Sequence, residues 1–271
     1  MRKMTEREFG GLRVVLTGGA DGRGGGEGPL VVLLHGYGAP GGDLVPLAQV
    51  LSVPAGTRFA FPAAPLSLGP NLGPAFLDMF DSRAWWHIDI ERFERVLGQL
   101  GRQSGPPDLA SPALQALVND EPEGLNSARE KLLAALDAME RELSVPSGQI
   151  VLGGFSQGSM LSLDLALRSS RKLAGLILFS TTMLCRNAWI SGLPARRGLP
   201  VFQSHGQLDP LLPFFIAEGL RDALRQGGLS VEFLPFRGAH EIPSAVLRGA
   251  SDFLTSVLPS ASSGAPGTGY V

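Results

Sequence analysis

Ser156 has surroundings in this sequence that could support covalent chemistry. It lies in "GGFSQGSM", residues 153 to 160, and matches the pattern G-x-S-x-G. In that pattern a strand leads through a tight, strained turn into a helix, and the turn lifts the serine hydroxyl clear of the sheet. "QIVLGGF" before Ser156 reads as a buried strand and "QGSMLSLDLAL" after it as a buried helix. This context indicates a nucleophile, although the pentapeptide alone is weak evidence in a chain with 36 glycines.

A serine nucleophile needs a base and an acid, which the chain order selects. A histidine takes the hydroxyl proton, and a carboxylate orients that histidine. With a G-x-S-x-G turn the order along the chain is serine, acid, histidine, so the two histidines before Ser156 are excluded. Asp209 follows a predicted strand end, His205 precedes it and breaks the order, and His240 satisfies it. Elimination therefore predicts the triad Ser156, Asp209 and His240.

Acyl transfer also needs N–H donors aimed at the developing oxyanion. One is the backbone N–H of Gln157, the residue after the nucleophile. The other comes from the loop after an early strand, here within "LVVLLHGYGAPGGD", where the N–H groups of Tyr37 and Gly38 are candidates. Gly38 is also a candidate substrate-binding residue, because glycines let the backbone approach a substrate closely. We predict a structural role for His35, which ties this loop together.

The same loop supports a rival interpretation. "GYGAPG", residues 36 to 41, fits the dinucleotide-binding pattern G-x-G-x-x-G after a strand. Pro40 removes a donor that a pyrophosphate would need, and no acidic residue between Asp43 and Asp78 could hold a ribose. The glycine-rich "GRGGGEG" is not followed by the Gly-Lys-Ser/Thr of a phosphate-binding loop. The nucleotide interpretation is therefore disfavoured.

The elements around these residues predict an α/β fold. Short apolar runs alternate with longer helical patterns, which is typical of a mostly parallel central sheet of about seven strands flanked by helices. The glycine-rich residues 18 to 28 predict a hairpin connection between the first two strands. The predicted strands are residues 12–18, 29–36, 57–65, 148–156, 173–180, 199–206 and 231–236.

Helical patterns fill the gaps between the later strands. Residues 125–145 carry leucines at spacings of three and four opposite charged residues, and the helix after Ser156 is apolar nearly all round. Residues 212–228 end in a glycine pair suited to a C-cap, and residues 242–258 supply the last helix.

The composition of the chain limits the classes of molecule that it is expected to bind. The net charge of −2 gives no electrostatic footprint for nucleic acid or an anionic membrane, so small neutral or apolar molecules fit better. Cys185 is the single cysteine, which excludes an intrachain disulfide and favours a reducing compartment. We found no signal-peptide pattern and no apolar run that could span a membrane. We therefore expect a cytoplasmic protein without stable membrane insertion, and leave open its oligomeric state, a homodimer included.

One stretch departs from the alternation. Residues 88–127 hold two short amphipathic pieces broken by Gly-Pro-Pro, and an excursion of this length is often a lid or wall over a site. An ordinary surface insertion is the alternative. We expect a single domain over residues 1–258 with this lid-like insertion, and a flexible tail over residues 259–271.

Four segments together resemble a known family. "LLHGYG", "GGFSQGSMLSL", "SHGQLDPLLP" and "FRGAHEIP" are similar to the phospholipase/carboxylesterase family of α/β-hydrolases, which includes acyl-protein thioesterases and short-chain carboxylesterases. The likeness runs from about residue 30 to residue 258. It implies the α/β-hydrolase fold and ester, thioester or lysophospholipid substrates. Residues 88–127 exceed what the simplest members carry there, and "RGAH" replaces the more usual Gly-Gly-His.

The resemblance also implies roles for individual residues. Ser156, Asp209 and His240 take the positions of the triad, and the Tyr37 and Gln157 N–H groups those of the oxyanion hole. "SRAWWHIDI" is similar to the family's Trp-containing segment, in which Trp86 would line the acyl site. The expected enzyme is a serine esterase that works without metal or organic cofactor. A non-catalytic binding protein of the same fold is the alternative.

Overall fold

The chain folds around a twisted central β-sheet. The computed structural model describes residues 3–69, 81–89, 95 and 112–259. The strands are β1 Thr5–Phe9, β2 Leu12–Gly19, β3 Arg23–Gly25, β4 Leu30–Leu34, β5 Arg58–Pro62, β6 Leu66–Ser67, β7 Arg83–Ala84, β8 Ile150–Phe155, β9 Gly175–Phe179, β10 Pro200–Gly206 and β11 Ser230–Phe236.

The strand order makes most of the sheet parallel. Within the described residues the large sheet has nine strands in the order β1-β2-β5-β4-β8-β9-β10-β11, with β3 paired to β2. Every neighbouring pair from β5 to β11 is parallel, whereas β2 pairs with β1 and β5 antiparallel. The predicted strands are all present. The sheet exceeds the predicted seven because β1 and β3 were not predicted.

The predicted hairpin between the first two apolar strands is wrong. β5 lies between β2 and β4, so residues 18–28 do not join neighbouring strands. A real hairpin lies earlier, where β1 and β2 are joined by Gly10 and Gly11 with φ of 55° and 79°. Two residues with positive φ match the right-handed twist of a tight hairpin, which glycine allows without strain.

Helices cover both faces of the sheet. The helices are α1 Leu47–Val50, α2 Pro112–Asn119, α3 Leu125–Glu142, α4 Gln157–Arg168, α5 Arg186–Gly192, α6 Phe214–Gln226 and α7 Ser244–Val257, with a 3₁₀ turn at Leu193–Arg196. The four long helices begin and end within three residues of their predicted bounds. α6 ends at Gly227 as C-cap, as its glycine pair predicts.

Two apolar layers hold the sheet between the helices. Leu30, Val32 and Leu34 of β4 face the layer formed with α2 to α6, whereas Val31 and Leu33 face the layer formed with α1 and α7. This alternation follows from the two-residue period of a strand, and both faces are buried because the strand is parallel and central. α4 is buried at every residue from Gln157 to Leu167, as its sequence predicts.

A buried carboxylate joins three helices on the first of these faces. Asp164 of α4 is fully buried and accepts hydrogen bonds from Arg129 Nη1 at 2.6 Å and from Trp189 Nε1 at 2.8 Å. Arg168 Nη1 lies 3.6 Å from the same carboxylate. Because Arg129 belongs to α3 and Trp189 to α5, the charge of Asp164 is compensated only while these helices stay packed together.

The expected insertion is described in part. Residues 90–111, apart from residue 95, and residues 260–271 of the expected tail lie outside the described residues. The described part of the insertion contains α2 and the beginning of α3. No helix in the part of the chain described above combines the length and apolar character needed to cross a membrane.

Replacing the buried acid tests this helix packing. Asp164→Ala should lower the free energy of unfolding by about 3 to 5 kcal/mol, because Arg129 and the Trp189 N–H lose their buried partner. Asp222, paired with Arg221 but 51% exposed, provides the matched control, and Asp222→Ala should cost less than about 1 kcal/mol. Urea unfolding measures both, and equal losses would contradict the assignment.

Candidate active site

Ser156 occupies a strained turn at the carboxyl end of β8. Its φ and ψ are 53° and −119°, an unfavourable conformation for a residue with a Cβ. The flanking glycines permit a close approach to β4: a Cβ on Gly154 would lie 2.3 Å from Leu34 O, and one on Gly158 would lie 2.2 Å from the same atom. Because no side chain fits at either position, both glycines of the G-x-S-x-G motif are steric requirements of this turn.

Asp209 lies just after β10 and is held by backbone and side-chain donors. Its Oδ1 accepts the N–H groups of Leu211 and Leu212, both at 2.9 Å, and its Oδ2 accepts His240 Nδ1 at 2.7 Å. Burial alone would raise the pKa of this carboxyl, but the hydrogen bonds from His240 and the loop amides outweigh it and hold the pKa of Asp209 below its ordinary value. Asp209 is therefore an ionised acceptor for the imidazole.

His240 lies between this carboxylate and the serine turn. With Nδ1 bound to Asp209, its Nε2 is the nitrogen left to take up a proton. The Phe155 ring packs against the imidazole with a centroid separation of 4.6 Å, a contact that the sequence did not reveal. Ser156 and His240 line the same cavity, and the Ser156 hydroxyl makes no hydrogen bond to any described residue. Such catalytic contacts often tighten only when substrate binds.

His205, the histidine excluded by chain order, is engaged elsewhere. It is fully buried, and its Nε2 donates to Leu212 O at 2.8 Å. The same nitrogen lies 3.5 Å from Asp209 Oδ2. Burial lowers the pKa of His205, which keeps the ring neutral. His205 therefore supports the loop that carries Asp209.

The loop after β4 contains one of the two predicted oxyanion donors. The Gly38 N–H donates to Arg83 O at 2.8 Å and is unavailable, whereas no turn or loop acceptor among the described residues takes the Tyr37 or Gln157 N–H. Gly38 is absent from the cavity lining, so the structure does not bring this predicted substrate-binding residue to the site. Tyr37 lines the cavity beside Ser156.

His35 ties the same loop to its surroundings, as predicted. Its buried ring donates from Nδ1 to Gly36 O at 2.8 Å and accepts the Ala64 N–H on Nε2 at 3.0 Å. These two bonds require the neutral ring with its proton on Nδ1. Burial lowers the pKa of His35 and so favours that neutral form.

A cavity of about 420 Å³ opens at Ser156. Trp86 lines it, whereas Trp85 is absent from its lining and donates from Nε1 to His35 O at 3.0 Å. Three aspartates also line the cavity: Asp43, Asp89 and Asp120. Its apolar wall is formed by Leu117, Val118, Met160, Met183, Leu184 and Ile216.

The predicted insertion contributes directly to this wall. Leu117 and Val118 belong to α2, within the described part of residues 88–127. The apolar spacing in "PALQALVN" carries the signal for such a face, but the sequence alone did not assign it to the cavity. At least this helix of the insertion forms a wall of the cavity.

Other candidate chemistries find little support. Burial raises the pKa of the Cys185 thiol to about 12, which makes it a poor nucleophile. Within residues 3–69, 81–89, 95 and 112–259, no cluster of His, Cys, Asp and Glu side chains could hold a metal ion. The "GYGAPG" loop does not open a helix, since α1 begins only at Leu47, so the dinucleotide pattern lacks its required helix N-terminus.

Comparisons with known proteins show which family the chain matches. Residues 114–258 match the model of the phospholipase/carboxylesterase family. The chain is 30% identical over 212 residues to acyl-protein thioesterase 1 of Cryptococcus neoformans var. neoformans serotype D, covering 75% of this chain and 71% of that protein. It is 33% identical over 129 residues to acyl-protein thioesterase 1 of Neurospora crassa, a match that covers 45% of this chain and about half, 53%, of the relative.

Solved structures show the same fold. The crystal structure of esterase PE8 superposes with a TM-score of 0.68 and 26% identity, covering 94% of this chain and all of that one (100%). Arabidopsis thaliana SOBER1 superposes with a TM-score of 0.63 at 22% identity, over 83% of this chain and 97% of that one. The fold is therefore the α/β-hydrolase fold expected from the sequence.

The neutral His35 ring predicts how stability depends on pH. Because its pKa is lower in the folded protein, the unfolded chain binds more protons below about pH 6.5, and the free energy of unfolding should fall as the pH is lowered. His35→Asn removes this proton uptake, so its stability should fall less between pH 7.5 and 5.5. Some loss of stability at low pH should remain in this variant, because burial lowers the pKa of His205 too.

Urea unfolding at a series of pH values measures this difference. His87→Asn replaces an exposed histidine and serves as the control. This variant should lose stability with falling pH as steeply as the unmodified protein. An equally steep loss in His35→Asn would contradict the burial of a neutral His35.

Proposed function

The chain belongs to the phospholipase/carboxylesterase family, and we propose that it hydrolyses acyl esters or thioesters through a triad of Ser156, Asp209 and His240. Its relatives and the esterase it superposes on identify it as a serine hydrolase. One observation carries the proposal: Asp209 orients His240, and His240 lines the same cavity as Ser156, a partly buried serine in a strained turn.

In the first half of the reaction, Ser156 becomes acylated. Its Oγ attacks the carbonyl carbon while His240 Nε2 takes the hydroxyl proton, and Asp209 stabilises the resulting imidazolium. The tetrahedral intermediate then expels the alcohol or thiol, which receives that proton from His240. In the second half, water attacks the acyl-enzyme with His240 again as the base, releasing the acid and restoring Ser156.

The oxyanion of each tetrahedral intermediate lies at the beginning of α4 in this proposal. The Gln157 and Tyr37 N–H groups donate to it, and the helix dipole favours the negative charge there. Both amides lack a turn or loop acceptor among the described residues, so neither has to break such a bond first. These fixed donors are rigid before substrate arrives, which is what makes them effective.

The lining of the cavity favours binding of the acyl chain of the substrate over binding of its head group. Its apolar wall, including Leu117 and Val118 of α2, suits a hydrocarbon chain and offers few partners to a polar head group. We propose that the acyl group lies along this wall with Trp86 beside it. Location in the cytoplasm and a homodimer stay predictions.

Covalent labelling tests the nucleophile. A fluorophosphonate probe should label Ser156, identified by peptide mapping, and Ser156→Ala should lose labelling and at least about 10⁴-fold in kcat because the attacking oxygen is gone. Asp209→Asn should lower kcat by about 10⁴-fold, since an amide would favour the wrong imidazole tautomer.

Thermal melting supplies the control that both variants are folded. Turnover retained by folded Ser156→Ala would overturn the proposed nucleophile. Ligand binding without turnover by the unmodified protein would instead support the alternative of a non-catalytic binding protein.

A bulky side chain in the cavity tests acyl binding. Leu117→Trp should reduce kcat/KM for a dodecanoyl p-nitrophenyl ester by about ten-fold relative to the acetyl ester, because the indole occupies volume needed by the longer chain. Ile190→Trp places the same ring at a 38% exposed position outside the cavity and should leave the ratio unchanged. An unchanged ratio in Leu117→Trp would remove this wall from the acyl site.

A further inference from the structure

We propose that the side chain of Gln157 is a positioning residue that, through residues 82–86, fixes the spacing of the two oxyanion donors. This inference rests on the proposed function and goes beyond it, because there only the backbone N–H of Gln157 acts. We call residues 82–86 the clamp segment. It contacts the loop that carries Tyr37 on one side and Gln157 on the other.

On the loop side, the clamp segment pairs with the residues that follow Tyr37. Arg83 O accepts the Gly38 N–H at 2.8 Å, and the Arg83 N–H donates to Ala39 O at 3.1 Å. The Ser82 hydroxyl donates to Gly38 O at 2.7 Å. These bonds fix the peptide group that follows Tyr37. The peptide group that carries the Tyr37 N–H is held through Gly36 O, which accepts a hydrogen bond from His35 Nδ1 at 2.8 Å.

On the helix side, the clamp segment binds both ends of one amide. Gln157 Oε1 accepts the Trp85 N–H at 2.9 Å, and Gln157 Nε2 donates to Trp86 O at 2.8 Å. The orientation of the amide follows from its partners, because a backbone N–H requires the oxygen and a carbonyl requires the nitrogen. The Gln157 side chain thus binds the N–H of Trp85 and the C=O of Trp86 at the same time.

Burial makes this connection rigid. Gln157 is 0% exposed, and Trp85 and Trp86 are 1% and 2% exposed, so water cannot replace either hydrogen bond. Trp85 adds a third connection by donating from Nε1 to His35 O, two residues before Tyr37. The clamp segment therefore relates the position of the Tyr37 amide to that of the Gln157 amide.

This relation matters because oxyanion donors act through their placement. They must lie about 2.7 to 3.1 Å from the oxygen of the intermediate, and a misplacement of about 1 Å can cost about 100-fold in rate. The Gln157 backbone N–H is retained in any substitution of its side chain other than proline. A side-chain effect on kcat would therefore report positioning.

The test removes the amide but keeps its approximate length. Gln157→Met should lower kcat by about 100-fold while KM for a p-nitrophenyl ester changes less than about two-fold, because substrate binding in the ground state does not use the oxyanion donors. The inhibition constant of a trifluoromethyl ketone, which forms a tetrahedral adduct, should rise in proportion to the loss of kcat/KM.

Gln203 provides the matched control. It is also fully buried, and its Nε2 donates to Ala217 O at 2.9 Å, but it is absent from the cavity lining. Gln203→Met should cost comparable stability and leave kcat within about three-fold. All variants are compared below the lowest melting temperature among them.

Ser156→Ala, assayed beside them, separates this inference from the proposed function. Turnover by folded Ser156→Ala would overturn both. If Ser156→Ala is inactive, a kcat for Gln157→Met within about three-fold of the unmodified protein would overturn the clamp alone. So would an equal loss in Gln203→Met, or a loss confined to KM.

Discussion

The close approach of the serine turn to the end of β4 is the constraint on which the site depends. A Cβ on Gly154 or on Gly158 would lie within 2.3 Å of Leu34 O, so β8 and the beginning of α4 can come this close to the end of β4 only because both positions are glycine. The approach holds Ser156 at a positive φ of 53°, and the backbone hydrogen bond from Ser156 N–H to Phe179 O at 2.9 Å helps to keep it there. The cost of the strained residue is met by the packing of α4, which is buried on all sides.

The parallel sheet then brings the remaining groups to the same edge. β4, β8 and β10 all end at this edge, with Leu34 beside Gly154 in register and β9 between β8 and β10. The loops after these strands supply the N–H of Tyr37, the hydroxyl of Ser156 and the carboxylate of Asp209. Groups that are far apart in sequence therefore meet without a special connection, which is a general property of open parallel sheets. The antiparallel strands β1 and β2 extend the other end of the sheet and take no part in the site.

Sequence reasoning succeeded where the signal is local. The buried strands and long helices show clear periodicity, and the structure contains them. The triad, which came from chain order and strand ends, stays a prediction. Sequence reasoning missed the edge strand β1, because its charged sequence "TEREF" lacks the apolar pattern of the other strands. The Gly-Gly after β1 could have indicated a hairpin. The residues alone left the N–H groups of Tyr37 and Gly38 open as donors, and only the resemblance favoured Tyr37. The Gly38 N–H is engaged by Arg83, which is distant in sequence. The roles of Phe155 and of the Gln157 side chain depend on such long-range contacts too.

A crystal structure of the protein after reaction with a fluorophosphonate tests the central claim most directly, since its adduct mimics the tetrahedral intermediate. The account predicts phosphorus bonded to Ser156 Oγ, with the phosphonyl oxygen about 2.7 to 3.1 Å from both the Tyr37 and Gln157 nitrogens. It also predicts His240 Nε2 within hydrogen-bond distance of Ser156 Oγ. An adduct on another residue, or a phosphonyl oxygen directed away from both amides, would contradict it.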